Sequence, residues 1–181
     1  MNMEPVRFGV IGCGLMGREF ASVSMRWLHL ACELPRPVIV AACDLSPKNL
    51  DWFRQVPDTK YFYSDYHELL ANPEVEAVYC AVPHHLHAQV YGDVIRAGKH
   101  LIGEKPFGMD LAACEEVEAA MAGRPEVFVR CASEFPFYPA VQQMVKWYRE
   151  GAFGQIIEAR FAIKHSSDMD LAKPINWKRM R

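Results

Sequence analysis

Residues Val6-Arg7-Phe8-Gly9-Val10-Ile11-Gly12-Cys13-Gly14-Leu15-Met16-Gly17 decide the fold of this chain. A short apolar run enters a G-x-G-x-x-G turn, and a helical pattern containing Phe20, Val23 and Trp27 follows it. Strand, tight glycine turn and helix is the context in which that spacing reads as a dinucleotide-binding turn. Gly12 permits the tight turn, Gly14 lets backbone approach a pyrophosphate, and Gly17 lets the helix sit close to the strand. The helix N-terminus then offers unpaired N–H groups and a partial positive charge to phosphates. The cofactor-binding candidates here are therefore Gly12, Cys13, Gly14, Leu15, Met16 and Gly17.

Outward from this turn, apolar runs alternate with helical patterns as far as Cys131. The runs predict strands over 6–11, 38–44, 61–63, 77–82, 100–103 and 127–131, with helices between them. Ser46-Pro47 reads as an N-cap followed by proline at the first helical position. Asp65 and Glu68 resemble a capping box ahead of Leu69-Leu70. Helical patterns over 90–97 and 111–121 are expected to stop at Gly98 and Gly123. Strands alternating with helices imply parallel pairing and right-handed crossovers, hence an α/β, doubly wound, Rossmann-type sheet.

The bulk numbers agree with that class. At 181 residues the chain accommodates one domain, or one domain and part of another. Its 51% hydrophobic and 23% charged content is that of a globular protein with ample core material. A net charge of −2 gives no general attraction to nucleic acid or an anionic membrane. No segment approaches the ~18 consecutive apolar residues of a spanning helix. Met1-Asn2-Met3-Glu4-Pro5 lacks a signal-peptide pattern, so the expected compartment is the cytoplasm. Six cysteines (Cys13, Cys32, Cys43, Cys80, Cys114, Cys131) show no C-x-x-C spacing and read as reduced thiols packed as small hydrophobes.

After Glu134 the texture changes. A helix is expected over 139–150, ended by Gly151. Ile157, Ala159, Phe161 and Ile163 then alternate with Glu158, Arg160, Ala162 and Lys164, the period of a strand with one buried face. Residues 166–181 are polar and basic and offer that strand no partner, and a lone strand is not stable by itself. It either pairs with another chain or begins a second domain. The division read from sequence is a nucleotide-binding domain over 1–134 and the start of an α+β domain over 135–181.

Three further segments carry chemistry. A carboxylate at Asp44, closing the second strand, suits both ribose hydroxyls of an adenosine and repels a 2′-phosphate, which favours NAD over NADP. Asp44 lies further from the glycine turn than the roughly 20 residues of the usual spacing, and the segment 28–37 is expected to absorb the excess. Lys48 nearby keeps NADP open. The fourth strand runs into Val82-Pro83-His84-His85-Leu86-His87, which should border the crevice outside the carboxyl ends of the strands. The three histidines match no common zinc spacing, so no metal is expected. Finally, Gly103-Glu104-Lys105-Pro106 places a lysine at the same crevice, a candidate acid/base or substrate-orienting group.

Taken in order, Gly12-x-Gly14-x-x-Gly17, Asp44, Val82-Pro83 with His87, and Glu104-Lys105-Pro106 resemble the glucose–fructose oxidoreductase / inositol dehydrogenase family (Gfo/Idh/MocA). Phe137-Tyr138-Pro139 and Gly151-Ala152-Phe153-Gly154-Gln155-Ile156 are similar to its later segments, so the likeness extends over essentially the whole chain. The resemblance implies a Rossmann domain followed by an α+β domain with a large, mostly antiparallel sheet through which copies of the chain pair. It implies NAD(P)-dependent hydride transfer on a sugar, cyclitol or related polyol. Lys105 would bind the reacting hydroxyl and assist its proton transfer. Glu104 and Pro106 would shape the loop, with a cis peptide bond before Pro106, and Val82, Pro83, His84 and His87 would line the nicotinamide side.

Two departures from the family pattern stand out. Pro136 occupies the place of an arginine, and the D-x-x-x-H helix that completes the acid/base pair does not follow the tryptophan-containing loop that Asn176-Trp177-Lys178 resembles. The expectation is therefore a chain that binds NAD and turns over slowly or not at all. Two other readings stay open: a non-catalytic NAD-binding module that pairs through its last strand, and a Rossmann domain for another adenosine ligand such as S-adenosylmethionine or FAD. The Glu104-Lys105-Pro106 loop has no evident use in the last of these.

Overall fold

The computed structural model describes residues 3–27 and 33–164 of the protein. Residues 28–32 of the 28–37 crossover, Cys32 among them, and Asn176-Trp177-Lys178 lie outside the described residues. The chain divides after Ser133 into two compact units.

In the first unit the apolar runs become β1 (Val6–Ile11), β2 (Pro37–Cys43), β3 (Tyr61–Tyr63), β4 (Ala77–Cys80), β5 (His100–Gly103) and β6 (Val129–Cys131). They form one parallel sheet in the order β3-β2-β1-β4-β5-β6. Between them run α1 (Leu15–Ser24), α2 (Pro47–Phe53), α3 (Tyr66–Ala71), α4 (His87–Arg96) and α5 (Leu111–Ala122). This is the doubly wound α/β sheet expected from the sequence.

Successive strand residues face opposite sides, and both sides are buried. On one side Phe8, Val10, Ile39, Ala42 and Tyr79 pack with Ala21 of α1 and Phe53 of α2. On the other, Val40, Val78, Cys80 and Leu101 pack with Leu69 of α3, Val94 of α4 and Val117 of α5. Fully burying a side chain such as Phe53 contributes about 1.5–3 kcal/mol, so the two layers account for much of the unit's stability.

Local chemistry sets the helix ends. Asp65 accepts from the His67 N–H at 2.9 Å and starts α3, while Pro47 opens α2. Gly98 ends α4 in the left-handed region at φ 73°. Gly123 is the C-cap of α5, the stop expected, but at φ −75° it forms no left-handed cap and any residue fits that backbone. The buried face of α1 also differs. It is made of Gly17, Ala21 and Ser24, small residues that let the helix lie close to the sheet, whereas Val23 is 58% exposed.

In the second unit α6 (Pro139–Arg149) forms as expected and Gly151 follows it at φ 74°. The strand expected over 157–163 does not form. Ile157, Phe161 and Ile163 are 94%, 81% and 76% exposed. Alternation decides which face of a strand would be buried, but the hydrogen bonds that make a strand come from a neighbour, and the described residues of this unit supply none. No strand of a C-terminal sheet is formed among the described residues of this unit. Among all described residues, no helix is long and apolar enough to cross a membrane.

Candidate functional site

The strand order reverses between β1 and β4, and in such sheets ligands bind outside the carboxyl ends of the strands at that switch point. All four chemistry-bearing segments leave the sheet at this edge. The glycine turn follows Ile11, Asp44 follows Cys43, the histidine segment follows Cys80, and Glu104 follows Gly103.

The glycine turn has the shape its residues require. Gly12 is at φ 92°, and a Cβ there would lie 2.6 Å from the Ala81 carbonyl oxygen. At Gly17 a Cβ would lie 2.3 Å from the Gly12 carbonyl oxygen, a backbone atom that has nowhere to go. Gly14 is the opposite case: a Cβ there meets nothing within 4 Å. It is the N-cap of α1 and brings no side chain to satisfy the helix's first N–H groups. The first amide bonded along the helix is Arg18 N–H, to the Gly14 carbonyl at 3.1 Å, so those of Leu15, Met16 and Gly17 have no intrahelical partner. An open space over a bare helix N-terminus fits the pyrophosphate of a dinucleotide. Cys13 takes part only through its main chain. Its side chain is fully buried, and burial, with Asp44 beside it, pushes the thiol well above its ordinary range.

Asp44 is half-buried and already heavily engaged. Its carboxylate accepts from Cys13 N–H at 2.7 Å, Ser46 N–H at 2.7 Å and Asn49 Nδ2 at 3.1 Å. A carboxylate offers about four lone-pair positions, so roughly one is left for a ribose hydroxyl. The sequence reading missed two residues at this end, Arg18 and Asn49. Arg18 donates from Nη2 to Asn49 Oδ1 at 3.1 Å, and its guanidinium carbon lies 5.3 Å from the Trp52 ring centroid. Its Nε is buried without a partner among the described residues. The loop after β2 and the first turn of α1 thus bring an anion and a cation together. The clue in the sequence is that Arg18 directly follows Gly17, on the turn of α1 nearest the end of β2.

Beyond β4, Val82 and Pro83 are half-buried and a 3-10 turn spans His84–Leu86. His84 stands half-exposed at this edge. His87 does not line the crevice as the resemblance implies. It is fully buried, with Nδ1 2.6 Å from the Pro106 carbonyl oxygen and Nε2 3.0 Å from that of Val82. Both ring nitrogens face backbone carbonyl oxygens. No group of three or more His, Cys, Asp or Glu among the described residues is placed to hold a metal ion.

The loop after β5 is anchored from below. The Glu104 carboxylate turns into the core, where Oε1 accepts from Tyr79 Oη–H at 2.7 Å and Oε2 from Lys105 N–H at 3.2 Å. Its carbonyl accepts from Tyr91 Oη–H at 2.7 Å. Burial first, and then the Glu104 carboxylate, raises the Tyr79 hydroxyl well above the usual phenol range. The Lys105–Pro106 peptide bond is cis, as the resemblance implies. Lys105 itself is exposed, and its ammonium makes no hydrogen bond or ion pair among the described residues. The arrangement is a fixed backbone carrying a free amine at the switch-point edge. Tyr79 and Tyr91 were not legible as part of it, since each stands where any large core residue would fit the pattern.

Residues 6–130 match the family model described as oxidoreductase family, NAD-binding Rossmann fold. The levoglucosan dehydrogenase of Pseudarthrobacter phenanthrenivorans is 27% identical over 181 aligned residues, covering 97% of this chain and 45% of that protein. The trans-1,2-dihydrobenzene-1,2-diol dehydrogenase of Homo sapiens is 31% identical over 159 residues, covering 86% and 45%. Among solved structures, a levoglucosan dehydrogenase in complex with NADH and L-sorbose superposes with a TM-score of 0.76 at 25% identity, covering 84% of this chain and 41% of that one. The scyllo-inositol dehydrogenase of Lactobacillus casei with bound NAD(H) and scyllo-inositol shares the fold, with a TM-score of 0.71 at 22% identity over 83% and 43%. The chain thus spans a little under half the length of these relatives.

Proposed function

This chain belongs to the Gfo/Idh/MocA oxidoreductase family and carries its NAD-binding Rossmann domain, and on that premise we propose that it serves a dehydrogenase acting on a CH–OH group of a sugar, cyclitol or related polyol. The observation that carries the reading is Lys105: a free amine on a loop whose flanking residues are tied down, at the sheet edge that also presents the open glycine turn. The relatives support the class, since their names are those of dehydrogenases of an anhydrosugar and a cyclic diol.

The residues divide the work. Gly12, Gly14 and Gly17, with the main chain of Cys13, Leu15 and Met16, hold the pyrophosphate. Asp44 takes the adenosine ribose, which favours NAD. Arg18 and Lys48 are the cations that would soften a preference against NADP. Val82, Pro83 and His84 border the nicotinamide side. When bound, the nicotinamide supplies the hydride acceptor or donor. Lys105 Nζ holds the substrate oxygen: as the neutral amine it accepts the hydroxyl proton while the alcohol is oxidised, and as the resulting ammonium it returns that proton in the reverse direction. Placement of these groups, with no covalent step, supplies the rate.

The test is calorimetric titration with NADH and NADPH, followed by a polyol and sugar panel monitored at the NADH absorbance band, for wild type and Lys105→Met. Expected are NADH binding tighter than NADPH, the same preference for NADH over NADPH in Lys105→Met, and loss of whatever turnover the wild type shows. No NADH binding, or full turnover without the lysine, would overturn the reading. A second reading, an NAD-binding module that associates through 157–163, is supported by the exposure of Ile157, Phe161 and Ile163.

A further inference from the structure

We propose that His87 is a positioning residue for Lys105, acting as a side-chain rung that staples the loop after β5 to the loop after β4; this rests on the reading of Lys105 given above. Main-chain pairing between β4 and β5 runs to Cys80 and Gly103, and the Glu104 N–H to Cys80 carbonyl bond at 3.0 Å is its last rung. Past it the two loops share no backbone ladder. His87 bridges them there, with Val82 O on one side of its ring and Pro106 O on the other.

Carbonyl oxygens only accept, so a neutral imidazole serves one of them at a time, and the ring serves both only when each nitrogen carries a hydrogen. The ring is itself fixed, 4.7 Å from the Tyr91 ring in a stacked arrangement and 5.3 Å from that of His84. The outcome is a lysine flanked by two anchored neighbours. Glu104 is held by Tyr79 and Tyr91, Pro106 by His87, and the Lys105 side chain between them is left free to meet a ligand. A residue needed only to fill this space would be apolar. The polar ring is placed so that both its nitrogens reach loop backbone rather than core.

The experiment uses the 181-residue chain with lysines reductively methylated with 13C-formaldehyde, and the Lys105 resonance assigned from its absence in Lys105→Ala. In the wild type one sharp Lys105 signal is expected, shifting when NADH is added. His87→Phe keeps the ring volume and the stacking on Tyr91 and removes both bonds. Its Lys105 signal should broaden or split without cofactor, and its NADH affinity should fall about tenfold, the worth of one or two lost hydrogen bonds. ADP-ribose, which lacks the nicotinamide, should bind within about twofold of wild type.

If His87→Phe does not fold, His87→Leu carries the same test, because it fills the space and offers a donor to neither carbonyl. A variant with a wild-type Lys105 signal and a wild-type ratio of NADH to ADP-ribose affinity overturns the positioning role and leaves the proposed function standing. A wild-type Lys105 signal that ignores NADH overturns the reading of Lys105 itself, and the positioning role with it.

Discussion

Adding one methyl group at Gly14 and the same group at Gly17 should separate binding from folding. At Gly17 the new Cβ would sit 2.3 Å from the Gly12 carbonyl oxygen and 3.3 Å from Val10 Cγ1. Neither the turn nor the helix yields without the other moving, and overpacking of this kind costs roughly 1–3 kcal/mol. Alanine recovers at most about 1 kcal/mol of helix propensity over glycine, so Gly17→Ala should lose on the order of 1–2 kcal/mol of stability. At Gly14 nothing lies within 4 Å and φ is −70°, so the native fold accepts the methyl. The weaker N-cap and the stiffer unfolded chain oppose each other, and stability should stay within about 0.5 kcal/mol of wild type. The same methyl occupies the space a pyrophosphate needs. Losing one charge-assisted N–H to phosphate bond is worth about 1.5–3 kcal/mol, so NADH affinity should fall about 10- to 100-fold. Urea unfolding and NADH titration on both variants read the two effects separately. A Gly14→Ala protein that binds NADH like wild type would refute the phosphate cradle, and an undiminished Gly17→Ala stability would refute the close helix–strand approach.

Asp44→Ala strands the N–H groups of Cys13 and Ser46 and should cost about 1–3 kcal/mol, while raising the NADPH-to-NADH affinity ratio at least about tenfold; an unmoved ratio would remove Asp44 from cofactor choice. Burial, helped at Cys43 by Asp44, pushes the thiols of Cys43 and Cys80 up to about 12, whereas an unfolded chain titrates them near about 8.5. Between those values the unfolded state has lost protons that the folded state keeps. Their contribution is therefore complete below about pH 8 and declines as pH rises, by up to about 1.4 kcal/mol per pH unit for each thiol. Cys80→Ala should flatten the slope of urea stability between about pH 8.5 and 10 by one proton's worth, and an unaltered slope would count against it. Sedimentation should show concentration-dependent association through Ile157, Phe161 and Ile163 that Phe161→Asp abolishes; a wild-type monomer at all concentrations rejects that surface as an interface.

The fold was legible because both faces of the sheet are covered. Strands buried on two sides read as continuous apolar runs, and β1, β3 and β5 have the bounds their runs predict. The exceptions have local causes. The run through Ala81 and Val82 stays apolar, but β4 ends at Cys80, and Ala81 N–H takes the last bond to β1, at Ile11 O. Val127 is held in a turn by Arg124 O, so β6 starts only at Val129. Hydrophobicity misled on α1, where close approach selects Gly17, Ala21 and Ser24 over the larger Val23. It misled again at 157–163, where a pattern describes a face and not the neighbour that would cover it.

The site divides along a related line. The placement of Gly12, Gly14, Asp44 and Lys105 at one edge of the sheet was legible because each closes a predicted strand or its turn and is restricted in type: a positive φ, an empty space, a carboxylate, an amine. The residues that hold them were not. Tyr79 looks like one more large core residue of a strand, and Tyr91 like one more on a helix face, until their hydroxyls are found on Glu104. His87 looks like a crevice histidine until its partners turn out to be two carbonyls, one of them on Pro106, far along the chain. Sequence patterns report what a position is made of, and a support acts through what folding brings beside it. The same distinction predicts how the site fails. Substituting Lys105, whose ammonium bonds to no other described residue, should abolish one step at unchanged stability, whereas substituting Tyr79, His87 or Tyr91 should loosen Lys105 while leaving the adenosine end intact, because that end is tied separately through Asp44, Cys13 and Asn49.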